Sequence, residues 1–181
     1  MDTIQTQVFP TPWGELLIGS FDGKLCLCDW RYRKMRSAVD KRLQKHFAAE
    51  YREEDNDVLA ETREQLREYW SGERQEFTVE LAFAGTEFQQ RVWQELRLIP
   101  FGETSTYLKL SQKLGNPDAI RAVASANGAN AISIIVPCHR IIGSDGSLVG
   151  YAGGLVAKKN LLTLENPRFA MQFTTQESLA F

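Results

Sequence analysis

The chain has 181 residues, 43% of them hydrophobic, and a formal net charge of −2, which is enough apolar material to bury a core in one large domain or two small ones. No run of about 18 apolar residues is present to cross a bilayer, and the opening "MDTIQTQVFPTPWGE" carries Asp2 and no apolar leader-like stretch, so the expectation is a cytoplasmic protein without a membrane partner. Three cysteines, Cys26, Cys28 and Cys138, form too odd and sparse a set for a disulfide framework and leave a thiol free to react.

Strands are predicted at Ile4 to Phe9, Gly14 to Phe21 and Lys24 to Trp30, with turn chemistry in "PTPWG" and "FDGK" between them, giving an antiparallel meander. Cys26 and Cys28 in "KLCLCDW" then point to one face by the two-residue period of a strand and read as small buried hydrophobes. Two amphipathic helices follow, near Ser37 to Ala48 and Val58 to Ser71, the second with Leu59, Leu66, Tyr69 and Trp70 on one stripe before Gly72. A short strand near Phe77 to Leu81 and the small residues "AFAG" place a domain boundary near 84.

The second half opens on Thr86 as a helix N-cap, with Phe88, Val92, Trp93 and Leu96 as the apolar face and Pro100 and Gly102 as the stop. A helix from Tyr107 to Leu114 ends at "GNPD", and Pro117 starts another through "DAIRAVASANGAN". The pair reads as a helix-turn-helix, a motif that either packs helices or meets nucleic acid. Its second helix presents Ala119, Ala122, Ser125 and Ala126 around one long cation, Arg121, either a surface open to close approach by something broad or alanines packed on a neighbouring helix beside an ordinary solvated charge. Residues 1–83 hold 12 Lys and Arg against 16 Asp and Glu, a balance of −4, and residues 84–166 hold 8 against 6, a balance of +2. The second half could face a polyanion while the first stays away from it, but ordinary scatter of surface charge gives the same count, and charge alone does not decide the partner.

In "IIVPCHR" a thiol, Cys138, sits beside a base, His139, after a β-branched run. A free cysteine is only a few per cent thiolate at neutral pH and needs a base or a positive field to attack quickly. Adjacent side chains of an extended strand point to opposite faces, so the pair cooperates through a bend at Pro137 or a bridging water. An acidic group is expected to orient the imidazole, with Glu165 and Asp145 as candidates. His46 and His139 supply too few ligands for a zinc site, so neither metal nor cofactor is expected.

The ordered set "FQQRVW", "IPFGETSTY" and "NPDAIRAVASANGANAISIIVPCHRIIGSDGSLVGYAGGLVAKKNLLTLE" resembles the O6-alkylguanine-DNA alkyltransferases, also called methylated-DNA–protein-cysteine methyltransferases. The resemblance runs from Thr86 to Glu165, and "PCHR" with "GYAGG" behind it is its most specific part. It implies an α+β chain: a ribonuclease H-like N-terminal domain with a small antiparallel sheet and helices (1–83) and a mostly helical, winged-helix-like alkyl-acceptor domain (84–168); the tail (169–181), which has no counterpart in that family, is expected to be poorly ordered. It further implies a monomer that flips O6-alkylguanine, and O4-alkylthymine, out of double-stranded DNA through the minor groove and moves the alkyl group once, irreversibly, onto Cys138.

Position by position, the resemblance makes Glu165, His139 and a water the relay that draws off the thiol proton, and Asn130 the brace of the turn leading into the site. Tyr107 would hydrogen-bond and protonate the departing guanine, while Arg121 fills the gap in the base stack on a helix whose Ala119, Ala122 and Ala126 allow close approach to the groove. Ile141, Tyr151 and Ala152 would shape the guanine pocket. Lys109, Lys113, Lys158 and Lys159 are candidates for phosphate contacts. Ser133 stands where several members have proline, Ala152 where several have serine, and Ile120 is bulkier than the alanine often found beside the arginine. Rival readings are a binding protein of alkyltransferase type, a cysteine hydrolase and a helix-turn-helix transcription regulator; a reactive cysteine, turnover and operator preference separate them.

Overall fold

The computed structural model describes residues 1–173. Strands β1 (Asp2–Thr11), β2 (Gly14–Phe21) and β3 (Lys24–Trp30) form the expected antiparallel meander. Asp22 and Gly23, with φ of 48° and 73°, give the β2–β3 hairpin the two positive-φ residues that match strand twist. A fourth strand, β4 (Ala49–Glu53), follows helix α1 (Arg36–Phe47) and pairs parallel to β1, so the order is β3-β2-β1-β4.

The register shifts between Gly19 and Ser20, where Leu27 faces Gly19 and Leu25 faces Ser20, leaving Cys26 as the extra residue. A bulge of this kind resets the alternation of side chains. Leu25, Cys28 and Trp30 therefore enter the main core, while Cys26 and Leu27 join Ile4, Val39 and Leu43 on the other face. The two cysteines are buried as expected but on opposite faces, a correction the two-residue period could not supply. Burial pushes Cys26 up to about 12 and Cys28 higher still, so both are inert.

Helix α2 (Asp57–Ser71) starts where the Asn56 side chain accepts from the Leu59 N–H at 2.9 Å and stops at Gly72, φ 82°. It lays Leu59, Leu66 and Tyr69 against the sheet. The strand expected over 77–81 is reduced to one bridge: the Leu25 N–H donates to the Glu80 carbonyl and the Ala82 N–H to the Leu25 carbonyl.

Helix α3 (Glu87–Leu96) opens with a capping box between Thr86 and Gln89. Helices α4 (Tyr107–Lys113) and α5 (Ile120–Gly128) form the helix-turn-helix pair. The second starts at Ile120 rather than Pro117, because the Asn116 side chain accepts from the Asp118 N–H and folds residues 116–119 into a turn. Helix α6 (Leu155–Glu165) and the short α7 (Phe169–Gln172) complete the described chain. The start of the expected tail is ordered: Phe169 and Phe173 pack on Leu162 and Ile142, and residues 174–181 lie outside the described residues. Among the described residues no helix is long and apolar enough to cross a membrane.

The outer edge of β3 joins the two halves. The Cys28 N–H donates to the Ala131 carbonyl at 2.8 Å, and the Ser133 N–H donates to the Cys28 carbonyl. Next to it the fully buried Asp29 accepts from Arg33, Arg36 and the Ser133 hydroxyl. Arg33 reaches on to the carbonyls of Gly128 and Asn130, and Arg42 to that of Ala129. Removing one partner from a buried ion pair strands the others without solvent, at about 3–5 kcal/mol. Asp29→Ala is therefore expected to lower the melting temperature by about 10 °C, measured by calorimetry, with Asp29→Asn losing less.

Candidate functional site

The segment 131–136 reads as a strand because of its β-branched residues but folds as a pair of tight turns. Ile134 has φ of 73°, a left-handed conformation that costs a β-branched residue about 1–3 kcal/mol. The buried Asn130 side chain holds it there. Its amide oxygen accepts from the Ile132 N–H at 2.9 Å and its amide nitrogen donates to the Val136 carbonyl at 2.9 Å. After Pro137, Cys138–Arg140 make one turn of 3-10 helix. Cys138 and His139 are thus not on opposite faces of a strand; they are successive residues of a turn with about three residues per revolution, and both are buried.

Of the two acidic candidates, the structure brings Glu165 to the imidazole. Glu165 Oε1 lies 2.7 Å from His139 Nε2, whereas Asp145 sits in a surface turn accepting from Ser147. The same carboxylate accepts from Arg140 Nη2 at 2.8 Å and Nε at 2.9 Å, from the Tyr69 hydroxyl at 2.9 Å and from the Gly102 N–H at 3.3 Å. Burial pushes Glu165 up, yet His139 and then Arg140 outweigh it and hold the carboxyl well below the ordinary range. For His139 burial is the larger effect and lowers its proton affinity despite Glu165, so the ring is neutral. With Nε2 on Glu165, Nδ1 has no partner among protein atoms.

The thiol itself opens into a cavity of about 420 Å³ whose lining includes Tyr107, Asn127, Asn130, Tyr151 and Ala152, together with Arg33, Val39 and Arg42 from the N-terminal half. Burial pushes Cys138 up, and the Asn130 side chain and then the Lys158 ammonium pull it down. Tyr107 stands at the start of α4, its hydroxyl accepting from Asn127 Nδ2 at 3.4 Å. Burial first, and then the charge of Cys138, raise its proton affinity, so the phenol keeps its proton at neutral pH.

Other expected positions fall differently. Ile141 is fully buried and is not among the residues lining the cavity, its backbone bridged to Ser105. On α5, Arg121 and Ala122 are exposed and Ala119 is half-buried against the core. Ala126 is buried and its carbonyl accepts from Trp93 Nε1 at 2.8 Å, so it belongs to the α3–α5 contact and not to the outer face. The cause is the helical period, which groups Val123, Ala126 and Asn127 on the inner stripe. Lys158 is likewise no surface cation. It is fully buried, donates to the Val149 carbonyl at 2.9 Å, and burial lowers it to about 8 against the pull of Cys138.

Three further groups bear on the site that residue-by-residue reading did not select, Tyr69, Arg140 and Asp29, and a fourth, Lys158, was expected at phosphates and not beside the thiol. Arg140 was adjacent to the reactive pair, and Lys158 lies seven residues before Glu165 on one helical face. Tyr69 and Asp29 sit in the other half of the chain and carry no local signal. Among the described residues, no three His, Cys, Asp or Glu side chains converge as a metal site.

Two family descriptions match the chain: "6-O-methylguanine DNA methyltransferase, ribonuclease-like domain" over residues 4–83 and "6-O-methylguanine DNA methyltransferase, DNA binding domain" over residues 87–167. A methylated-DNA–protein-cysteine methyltransferase of Mycobacterium leprae (strain TN) is 51% identical over 120 residues, 66% of this chain and 73% of that protein. The crystal structure of Mycobacterium tuberculosis O6-methylguanine methyltransferase superposes with a TM-score of 0.77 at 38% identity, covering 92% of this chain and 94% of that one. A Mycobacterium tuberculosis OGT solved in complex with DNA gives a TM-score of 0.78 at 38% identity, covering 91% and 94%.

The protonation of the His139–Glu165 pair makes stability depend on pH. Both groups bind protons less readily folded than unfolded, so their contribution is complete above the unfolded histidine value of 6.5. It is lost as pH falls through their folded values. The melting temperature is expected to drop on acidification from pH 7.5 to 5.5, and His139→Asn to flatten that part of the profile.

Proposed function

The chain belongs to the 6-O-methylguanine DNA methyltransferase family, and from that premise we propose that Cys138 removes the alkyl group from O6-alkylguanine, and from O4-alkylthymine, in double-stranded DNA and keeps it. The observation that carries this reading is a single buried thiol facing a base-sized cavity, next to a buried histidine whose Nε2 is held by Glu165 and whose Nδ1 lacks a protein partner. O6 points at the pairing partner inside a duplex, so a thiol at the bottom of a cavity reaches it only when the nucleotide is turned out, at a few kcal/mol. The exposed Arg121 and Ala122 on α5 lie on the helix whose other end, at Ser125 and Asn127, borders that cavity. Arg121 fills the space the base vacates, with α5 in the minor groove. A single chain supplies every group named, which fits a monomer.

The thiol proton passes through a water to His139 Nδ1, while Glu165 fixes the opposite nitrogen and steadies the ring as it becomes charged. The Lys158 ammonium favours the thiolate from behind. A sulfur lone pair forms the S–C bond as the C–O6 bond breaks, and its electrons move to the guanine, which takes a proton from Tyr107; solvent and the imidazolium return that proton. The net change is thiol and alkylguanine to thioether and guanine. A thioether presents water with no comparable leaving group, so each chain acts once.

With excess oligonucleotide containing O6-methylguanine, mass spectrometry is expected to find one methyl group per chain, on the Cys138 peptide. Cys138→Ala should abolish transfer and retain DNA binding; disappearance of the lesion with position 138 unmodified would overturn the reading. Arg121→Ala is expected to weaken binding to lesion-containing duplex by about tenfold, roughly 1.4 kcal/mol, with a smaller effect on undamaged DNA.

A further inference from the structure

We infer that Trp30, a residue of the N-terminal half, is a specificity-determining position that limits the size of alkyl group reaching Cys138 by holding the Tyr151 wall in place. The inference rests on the alkyl-transfer reading above. Tyr151 and Ala152 line the Cys138 cavity on one side and, on the other, a second cavity of about 470 Å³ bounded by Trp13, Trp30 and Gly153. The wall between the two spaces is therefore thin, and it is carried by the run Gly150 to Gly154, with glycine at both ends and little backbone stiffness of its own.

The indole supplies the missing restraint. Trp30 Nε1 donates to the Tyr151 hydroxyl at 3.0 Å, and the two rings meet edge to face with centroids 6.2 Å apart and planes at 77°. Gly153 lies so close to the indole that a Cβ there would stand 2.5 Å from Trp30 Cε2, so only glycine admits the contact. Trp30 is itself fixed: it is buried, it ends β3, and it pairs in register with Leu16. The other ring beside Tyr151 is His139, at 6.4 Å between centroids, so the phenol is set between the indole and the imidazole.

Without the indole N–H, the phenol is free to move toward the second cavity and the two spaces join. A bulky group gains room from that movement, whereas a methyl group gains none. The test compares single-turnover rates on oligonucleotides carrying O6-methylguanine or O6-benzylguanine for the unaltered protein, Trp30→Phe, Tyr151→Phe and the double variant. Each single variant is expected to raise the benzyl-to-methyl rate ratio by about tenfold, the scale of one lost hydrogen bond. The double variant should raise it no further, because both changes remove the same bond. A ratio within about twofold of the unaltered protein, both rates falling in parallel, or fully additive effects in the double variant would each overturn the role given to Trp30. Absence of transfer from either lesion by the unaltered protein would overturn the alkyl-transfer reading, and this inference with it.

Discussion

The acceptor site depends on one buried carboxylate. Glu165 collects hydrogen bonds from His139, Arg140, Tyr69 and the Gly102 backbone, and so ties the end of α6 to the reactive turn, to α2 and to the loop after α3. An ionised carboxylate removed from water is tolerable only when its lone pairs are filled and its charge is met. Arg140 meets the charge with two donors. Burial keeps His139 neutral despite Glu165, with a smaller push from Arg140, and Nδ1 has no protein partner, the state a proton acceptor needs.

Each half of the chain holds part of the site. The last residues of β3 hold the acceptor segment by backbone pairing at Cys28, by the Asp29 carboxylate on Ser133, and by the Trp30 indole on Tyr151. Arg33 and Arg42 meanwhile cap three successive carbonyls between α5 and the reactive loop. A positive-φ isoleucine and a turn packed with carbonyls would not hold this shape alone; the surrounding contacts over-determine it. The N-terminal half is therefore a scaffold in a specific sense, since it sets where Asn130, Cys138 and Tyr151 stand relative to one another.

What could be read from the sequence followed from how local each signal was. The first three strands and the α2, α3 and α4 helices declare themselves by periodicity, caps and turn residues within a few positions. Strand β4 escaped because Glu50, Arg52 and Glu53 make a short, polar edge strand look like a loop. The bulge at Cys26 left no trace, since nothing in "KLCLCDW" says which residue goes unpaired. Alanines at 119, 122 and 126 looked alike because alanine carries no mark of which face it serves, and packing against Trp93 decided the matter. Lys158 was expected at the surface, within reach of phosphates, because lysines are usually exposed; only its place on the inner face of α6, in line with Glu165, argued otherwise.

The electrostatics around Cys138 pull in opposite directions, and the balance suits the proposed single-use chemistry. Enclosure pushes the thiol up, while Asn130 and Lys158 pull it back. A fully exposed, strongly ionised cysteine would react with any electrophile or oxidant in solution, and on the proposed chemistry a chain so spent cannot be restored. Under that reading, burial withholds the thiolate until a base in the cavity has displaced water and placed its alkyl carbon in line with the sulfur. Positioning then supplies much of what a permanently ionised thiol would otherwise provide. Under the same reading, selectivity for the lesion and protection of the nucleophile arise from one feature, the cavity that Tyr107, Asn127, Tyr151, Arg33 and Arg42 line in front of a single sulfur.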